Sequence, residues 1–209
     1  IEKEKYKIFF KNHKKSINRL SKNINKSRVS FINNKTNIIN KKYLIEKHIE
    51  FKSKQFNDTF TRNIFKIKNY RRFINSLFLE DENHEIHYLK DNKDEIHSII
   101  LSLITKTDFC HYQLSYNKKS NLRSPGKALM YESLKFCNTN NLNFDFSTGL
   151  ENYKKVYATN KDSCNSIFIS QMNFLNIILL AKFFILYNIN TRNFLKNIYI
   201  FFKRVNIIK

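Results

Sequence analysis

Residues Arg123-Ser124-Pro125-Gly126-Lys127-Ala128 bring together two cations, a hydroxyl, the chain's single proline and one of its two glycines. Those residue types suit a phosphate. The first turn of a helix leaves N–H groups without intrahelical partners, and the macrodipole adds to their pull on an anion. Proline at the first helical position removes no needed donor, and glycine lets the backbone approach a ligand closely. The plainer alternative for the same residues is a tight strand-to-helix turn. The second glycine, Gly149, lies in "DFSTGLENYKKVY" (145–157), where Asp145 stands on a short apolar run and Tyr153, Lys154 and Tyr157 follow. Asp145 takes the opposite strand face from Phe144 and Phe146. Facing a cleft, it would have a raised pKa suited to general-base work; capping a loop is the alternative.

Other chemistries find no support. His84 and His87 are three apart and point to opposite faces of a strand, and with His97 they make no metal set with a nearby Cys or carboxylate spacing. Cys110 and His111 are adjacent, hence also on opposite faces, which disfavours a nucleophilic pair. The three cysteines, Cys110, Cys137 and Cys164, are far apart and in no C-x-x-C arrangement, so neither a disulfide framework nor zinc is expected, and a reducing compartment is.

The elements that must hold these residues follow from periodicity. Ile8, Phe9, Ile17, Leu20 and Ile24 among basic residues predict a basic amphipathic helix over 8–26. A strand over 28–33 and a turn follow. Helices are predicted over 40–57, with Leu44, Ile45, His48, Ile49, Lys52 and Phe56 on one side, and over 63–80. After residue 82 the period changes: "HEIHYLK", "EIHSIILSLIT" and "FCHYQLSYN" read as a three-stranded antiparallel meander. A helix from about Gly126 to Asn140 and a strand "LNFDFS" complete an α+β architecture, a mixed and centrally antiparallel sheet flanked by helices. The phosphate-suited loop falls between the third meander strand and a helix.

At 209 residues, 42% of them hydrophobic, the chain can bury a proper core as one domain with appended helices. Its net charge of +21 draws in anions generally. Lys, Asn, Ile, Phe and Tyr, which AT-rich codons specify, are inflated together, and Lys greatly outnumbers Arg. Nucleic acid is therefore the disfavoured partner. The chain begins at Ile1, so a missing N-terminal portion is expected; no signal peptide is visible. The expected parts are a basic helix (1–27), a central domain (28–170) and an apolar and basic helical tail (171–209). In the tail "FLNIILLAKFFILYNI" (174–189) is short for a bilayer and carries Lys182, so docking on the domain or peripheral membrane contact is expected.

The pattern R-x-x-G-x-A at this topological point resembles the pyrophosphate-binding loop of the GNAT acyltransferases. The runs "FKSKQFNDT" (51–59), "HYQLSYNKKSNLRSPGKALMYESLKF" (111–136) and "FDFSTGLENYKKVYA" (144–158) resemble the GNAT-like domain of BioF2-like and cellulose-biosynthesis acetyltransferases. The resemblance implies an acyl-CoA-dependent N-acyltransferase using acetyl-CoA or another acyl-CoA. Arg123, Ser124, Gly126, Lys127 and Ala128 would form the coenzyme A loop, with Leu114 and Tyr116 beside the pantetheine arm. It also implies a base acting through water, for which Asp145 is the candidate, and a tyrosine acid toward sulfur, Tyr153 with Tyr157 as rival. The run Gly149-x-x-x-Tyr153-Lys154 is similar to an element of the Fem-type transferases, which implies Lys154 on an acidic substrate and Glu151 on an amine; an ordinary solvated lysine is the alternative. The acceptor implied is a small-molecule or envelope-precursor amine, the setting cytoplasmic or at the inner membrane face, and the missing partner an N-terminal half of the same protein.

Overall fold

The helical period gives way to strands at the centre of the molecule. The computed structural model describes residues 3–34, 38–58, 63–80, 83–147, 154, 157 and 158, all within the compact unit Ile1–Asp162. Strands β2 (His84–Lys90), β3 (Ile96–Ile104) and β4 (Asp108–Tyr116) form the antiparallel meander. Its first turn is built on Asp91, whose Oδ1 accepts the N–H groups of Lys93 and Glu95 at 2.9 Å each. Its second is built on Thr105, whose Oγ1 accepts the Asp108 N–H at 2.9 Å. Strand β1 (Ser30–Asn34) pairs antiparallel with β2, and β5 (Asn143–Asp145) pairs parallel with β4, giving the order β1-β2-β3-β4-β5.

Helices cover both faces of this sheet. On one, α3 (Ile38–Asp58) and α4 (Lys68–Glu80) bury Leu44, Ile45, Ile49, Ile74 and Phe78 against Ile86, Ile99 and Leu101. On the other, α5 (Pro125–Asn140), with α1 (Lys3–Asn12) and α2 (Lys14–Lys26), buries Leu129, Leu134, Phe9 and Leu20 against Ile100, Phe109 and Phe144. β2 is buried from His84 through Leu89, on both of its faces. The cause is plain: a helical layer covers each face of the sheet.

Two predicted helices are broken. The 8–26 helix kinks at His13, whose φ and ψ are −105° and 14°, while the hydrogen bonds His13 N–H to Phe9 O and Ile17 N–H to His13 O persist at 3.0 Å each. The kink brings Tyr6 and Phe9 of one half and Leu20 and Ile24 of the other into a single core. The 63–80 helix is interrupted at Ile67, which is extended (φ −84°, ψ 113°) after a 3-10 turn over Ile64–Lys66 capped by the Asn63 side chain. That interruption seats Phe65, 1% exposed, among the rings of His48, Phe56 and Tyr70. Gly149, Glu151, Tyr153 and the tail over 171–209 lie outside the described residues. Among the described residues no helix is long and apolar enough to cross a membrane.

Candidate active site

The site begins with an irregularity in a strand. β4 pairs with β3 through Leu101↔Gln113 and then Ser102↔His111, so Tyr112 is an extra residue, a β-bulge. A bulge bends its strand and raises the local twist. On its other edge β4 pairs with β5 over Asp108–Cys110, and among the described residues no strand lies beside that edge from His111 to Tyr116. The result is a wedge, closed at Cys110↔Asp145 and opening toward α5.

The N-terminus of α5 stands at the open end. Ser124 holds the left-handed conformation (φ 57°, ψ 55°), its hydroxyl makes no cap bond, and Pro125 fills the first helical position. The first amide bonded back within this turn is that of Ala128, to Ser124 O at 3.0 Å. Among the described residues the Gly126 and Lys127 N–H groups have no protein acceptor, so the donors predicted from the P-G pair are open. Ala128 contributes differently, with its methyl fully buried in the core. A Cβ on Gly126 would lie 3.0 Å from Leu114 Cδ2 and 3.3 Å from Tyr116 Cδ1, so glycine lets the helix start sit directly on β4. Arg123 and Lys127 are exposed beside these amides.

Buried polar groups fix the loop from below. His97 Nδ1 and Ser120 Oγ are 2.8 Å apart, Ser120 Oγ accepts the Leu122 N–H at 3.0 Å, and Leu122 is 1% exposed. Ser98 Oγ donates to Pro125 O at 3.1 Å, and Asn23 Nδ2 of α2 donates to Arg123 O at 2.8 Å.

At the closed end, Asp145 is exposed and its Oδ1 accepts the Ser147 N–H at 2.7 Å. Phe144, its neighbour, stacks on Phe109 at 5.1 Å on the opposite face. Cys110 pairs with Asp145, and burial first, then Asp145 and Asp108, push its thiol up, which keeps it protonated. Tyr157 is half-buried with its ring 5.7 Å from Phe9 and 5.5 Å from His13, and burial raises its hydroxyl pKa. Lys154 is 8% exposed rather than solvated, its Nζ 3.4 Å from Ser147 O. Tyr153 and Glu151 lie outside the described residues.

The polar side of α3 was not singled out from sequence. His48 bonds Gln113 Oε1 through Nε2 and Ser115 Oγ through Nδ1, each at 2.9 Å. Lys52 Nζ donates to Leu114 O at 2.9 Å, Gln55 Nε2 to Tyr116 O at 3.3 Å, and Asp58 pairs with Lys118. The available signal was polar residues at 48, 52 and 55, the i, i+4, i+7 positions of an otherwise apolar stripe. Burial pushes the His48 imidazole down to about 3 from 6.5, with Lys52 adding to the effect against the opposing Gln113 bond, so the folded ring stays neutral. Unfolded chains take up that proton below about pH 6.5, so stability is full above that pH and falls toward pH 3, by at most about 1.4 kcal/mol per unit from this group. Urea titrations across this range should show a shallower pH dependence for His48→Gln than for the parent; identical slopes would refute the assignment.

A model of the Acetyltransferase (GNAT) domain matches residues 11–155, well over half of the chain. The chain belongs to the GNAT acetyltransferases. It is accordingly an acyltransferase, with a mixed sheet of the GNAT kind. No curated protein matches it. Among solved structures, an aminoglycoside acetyltransferase from an uncultured soil metagenomic sample, crystallised with sisomicin, is 11% identical with a TM-score of 0.47, the match covering 71% of this chain and 99% of that one. The ribosomal-protein-alanine N-acetyltransferase of Brucella melitensis biovar Abortus 2308 is 8% identical with a TM-score of 0.45, covering 68% and 99%. The GNAT match spans the wedge, the α5 terminus and the polar side of α3 alike.

Proposed function

We propose that this GNAT domain is an acyl-CoA-dependent N-acyltransferase of the BioF2-like branch, moving an acetyl or other acyl group to an amine acceptor, with an envelope precursor as the acceptor class. One observation supports the reading: the open Gly126 and Lys127 amides follow the stretch of β4 beside which no described strand lies, with Gly126 seated on Leu114 and Tyr116. The residues fit coenzyme A. Two backbone amides, the Ser124 hydroxyl and the Arg123 and Lys127 side chains would hold the diphosphate, while a Cβ at 126 would press on Leu114 and Tyr116. The edge of β4 at Leu114 and Tyr116 would hold an amide-bearing arm by strand-like bonds. The thioester supplies an acyl group activated toward an amine.

The chain's own groups supply proton handling. Asp145, exposed at the closed end of the wedge, is proposed to accept the amine's proton through water. Tyr153 is proposed to deliver the proton that the departing sulfur requires, with Tyr157 as the second candidate. Lys154 and Glu151 are assigned to acceptor binding. A Fem-like transferase with another acyl donor would use the same fold without the diphosphate site. The test is calorimetry with coenzyme A and, separately, with a single-stranded RNA. Saturable heat with coenzyme A and a thermal shift are expected; no heat with coenzyme A alongside RNA binding that weakens steeply with salt would replace the enzyme by a polyanion binder.

A further inference from the structure

A cavity of about 310 Å³ opens in the helical layer of α3 and α4, lined by Ser53, Asn63, Phe65, Lys66, Lys68 and Arg71. Its size is that of a small-ligand pocket. Every polar side chain in the lining can donate a hydrogen bond. Asn63 Oδ1, an acceptor with no hydrogen of its own, is taken by the Phe65 N–H at 3.0 Å, which leaves the Asn63 amide nitrogen as a donor. Among the described residues no carboxylate lines the cavity, and Glu50 and Asp58, the acids on either side of Ser53 in α3, are engaged with Lys47 and Lys54 and with Lys118. Lys66, Lys68 and Arg71 are exposed and, among the described residues, make no ion pair. Three cations and two neutral donors around one space suit a phosphate better than a single carboxylate.

The cavity connects with the wedge along one face of β4. Phe109 and Phe144 sit in the α5-side core, so alternation turns Cys110 and Asp145, the pair that closes the wedge, toward the α4 side. Tyr112 keeps that side: its ring is 6.1 Å from Phe78 of α4 and its hydroxyl 3.1 Å from that of Tyr70. The Tyr70 ring is in turn 5.3 Å from Phe65, the apolar floor of the cavity. Asp145, Tyr112, Tyr70 and Arg71 thus follow one another on one surface, and none of them is buried. The start of α5 lies on the other face of the sheet, against Leu114 and Tyr116. Each face therefore carries its own anion-attracting site, with the wedge between them.

We propose that the cavity holds a phosphate group of the acceptor, so that the substrate is a phosphate-bearing amine whose amino group lies toward Asp145, past Tyr70 and Tyr112. This rests on the acyl-CoA reading above. The test is calorimetry on the full chain saturated with coenzyme A, which fills the diphosphate grip. The titrants are phosphoethanolamine, ethanolamine, and phosphatidylcholine vesicles with and without phosphatidylethanolamine. Phosphoethanolamine should give saturable heat and bind at least about tenfold more tightly than ethanolamine. Arg71→Ala should remove that advantage, as should Lys66→Ala combined with Lys68→Ala, while coenzyme A affinity and melting temperature stay as in the parent. Lys42→Ala, an exposed cation elsewhere on α3, should leave it intact. Heat from the phosphatidylethanolamine vesicles that the same variants lose, with none from phosphoethanolamine, supports the site and puts the phosphate on a lipid headgroup. With acetyl-CoA in place of coenzyme A, the phosphorylated amine that binds should be N-acetylated, read by mass spectrometry; binding without acetylation overturns the assignment to the acceptor. No response to either phosphorylated titrant, or an advantage that survives Arg71→Ala or fades equally in Lys42→Ala, overturns the inference and leaves the acyl-CoA reading standing. No heat with coenzyme A itself overturns that reading and this inference with it.

Discussion

Replacing Gly126 with glutamate abolishes coenzyme A binding and leaves the chain folded: this is the expected result with the largest functional effect. The added Cβ meets only the ends of two side chains, Leu114 Cδ2 at 3.0 Å and Tyr116 Cδ1 at 3.3 Å, which can move by tenths of an ångström. The helix itself gains from the change, since glycine is a poor helix former and an acid in the first turn complements the dipole. The ligand loses twice, because the carboxylate occupies the open amides and repels the phosphates. A loss of at least about 100-fold, near 3 kcal/mol, is expected by calorimetry, with an unchanged or slightly raised melting temperature. Gly126→Ala should lose far less. Parent-like affinity in the glutamate variant would show that the diphosphate is not held here.

The largest effect on stability is expected from Phe109→Ala, at roughly 3–5 kcal/mol in urea unfolding. Phe109 is fully buried, with its ring 5.0 Å from His87, 5.1 Å from Phe144 and 6.3 Å from Phe136. It sits opposite Phe144 in the short parallel ladder that closes the wedge, so the cavity would form where the two strands must stay together. Against a total stability of about 5–15 kcal/mol the loss is a large fraction. Phe73→Ala on α4, where the ring is 51% exposed, is the comparison and should change stability by no more than about 0.5 kcal/mol. Equal effects at the two positions would contradict the packing described.

What could be read from the sequence was what is written locally. Pro125 and Gly126 mark the start of α5, and the change of period after residue 82 marks the meander. His84–Lys90 carries its strand in its own alternation, and the ends agree with the structure. Features created by pairing across the fold were not legible. The bulge at Tyr112 has no glycine or proline to announce it, and "HYQLSY" alternates straight through it; the extra residue exists only relative to β3. The burial of β2 on both faces depends on helices far away in sequence. The spacing places His48 and Lys52 on one side of a helix, but their polar partners exist only where α3 lies against β4. The 145–157 segment was legible as a place for chemistry, yet the burial of Lys154 beside Ser147 was not, because a lysine in so basic a chain gives no local sign of its surroundings.

The placement of α3 against β4 bears on register. A neighbouring strand could slide by two residues and keep the same face inward. A helix cannot, because Leu44, Ile45 and Ile49 on the same rod are locked into the core on that face of the sheet. Lys52 and Gln55 are therefore held at one register against Leu114 and Tyr116, a spacing set once, when the domain folds.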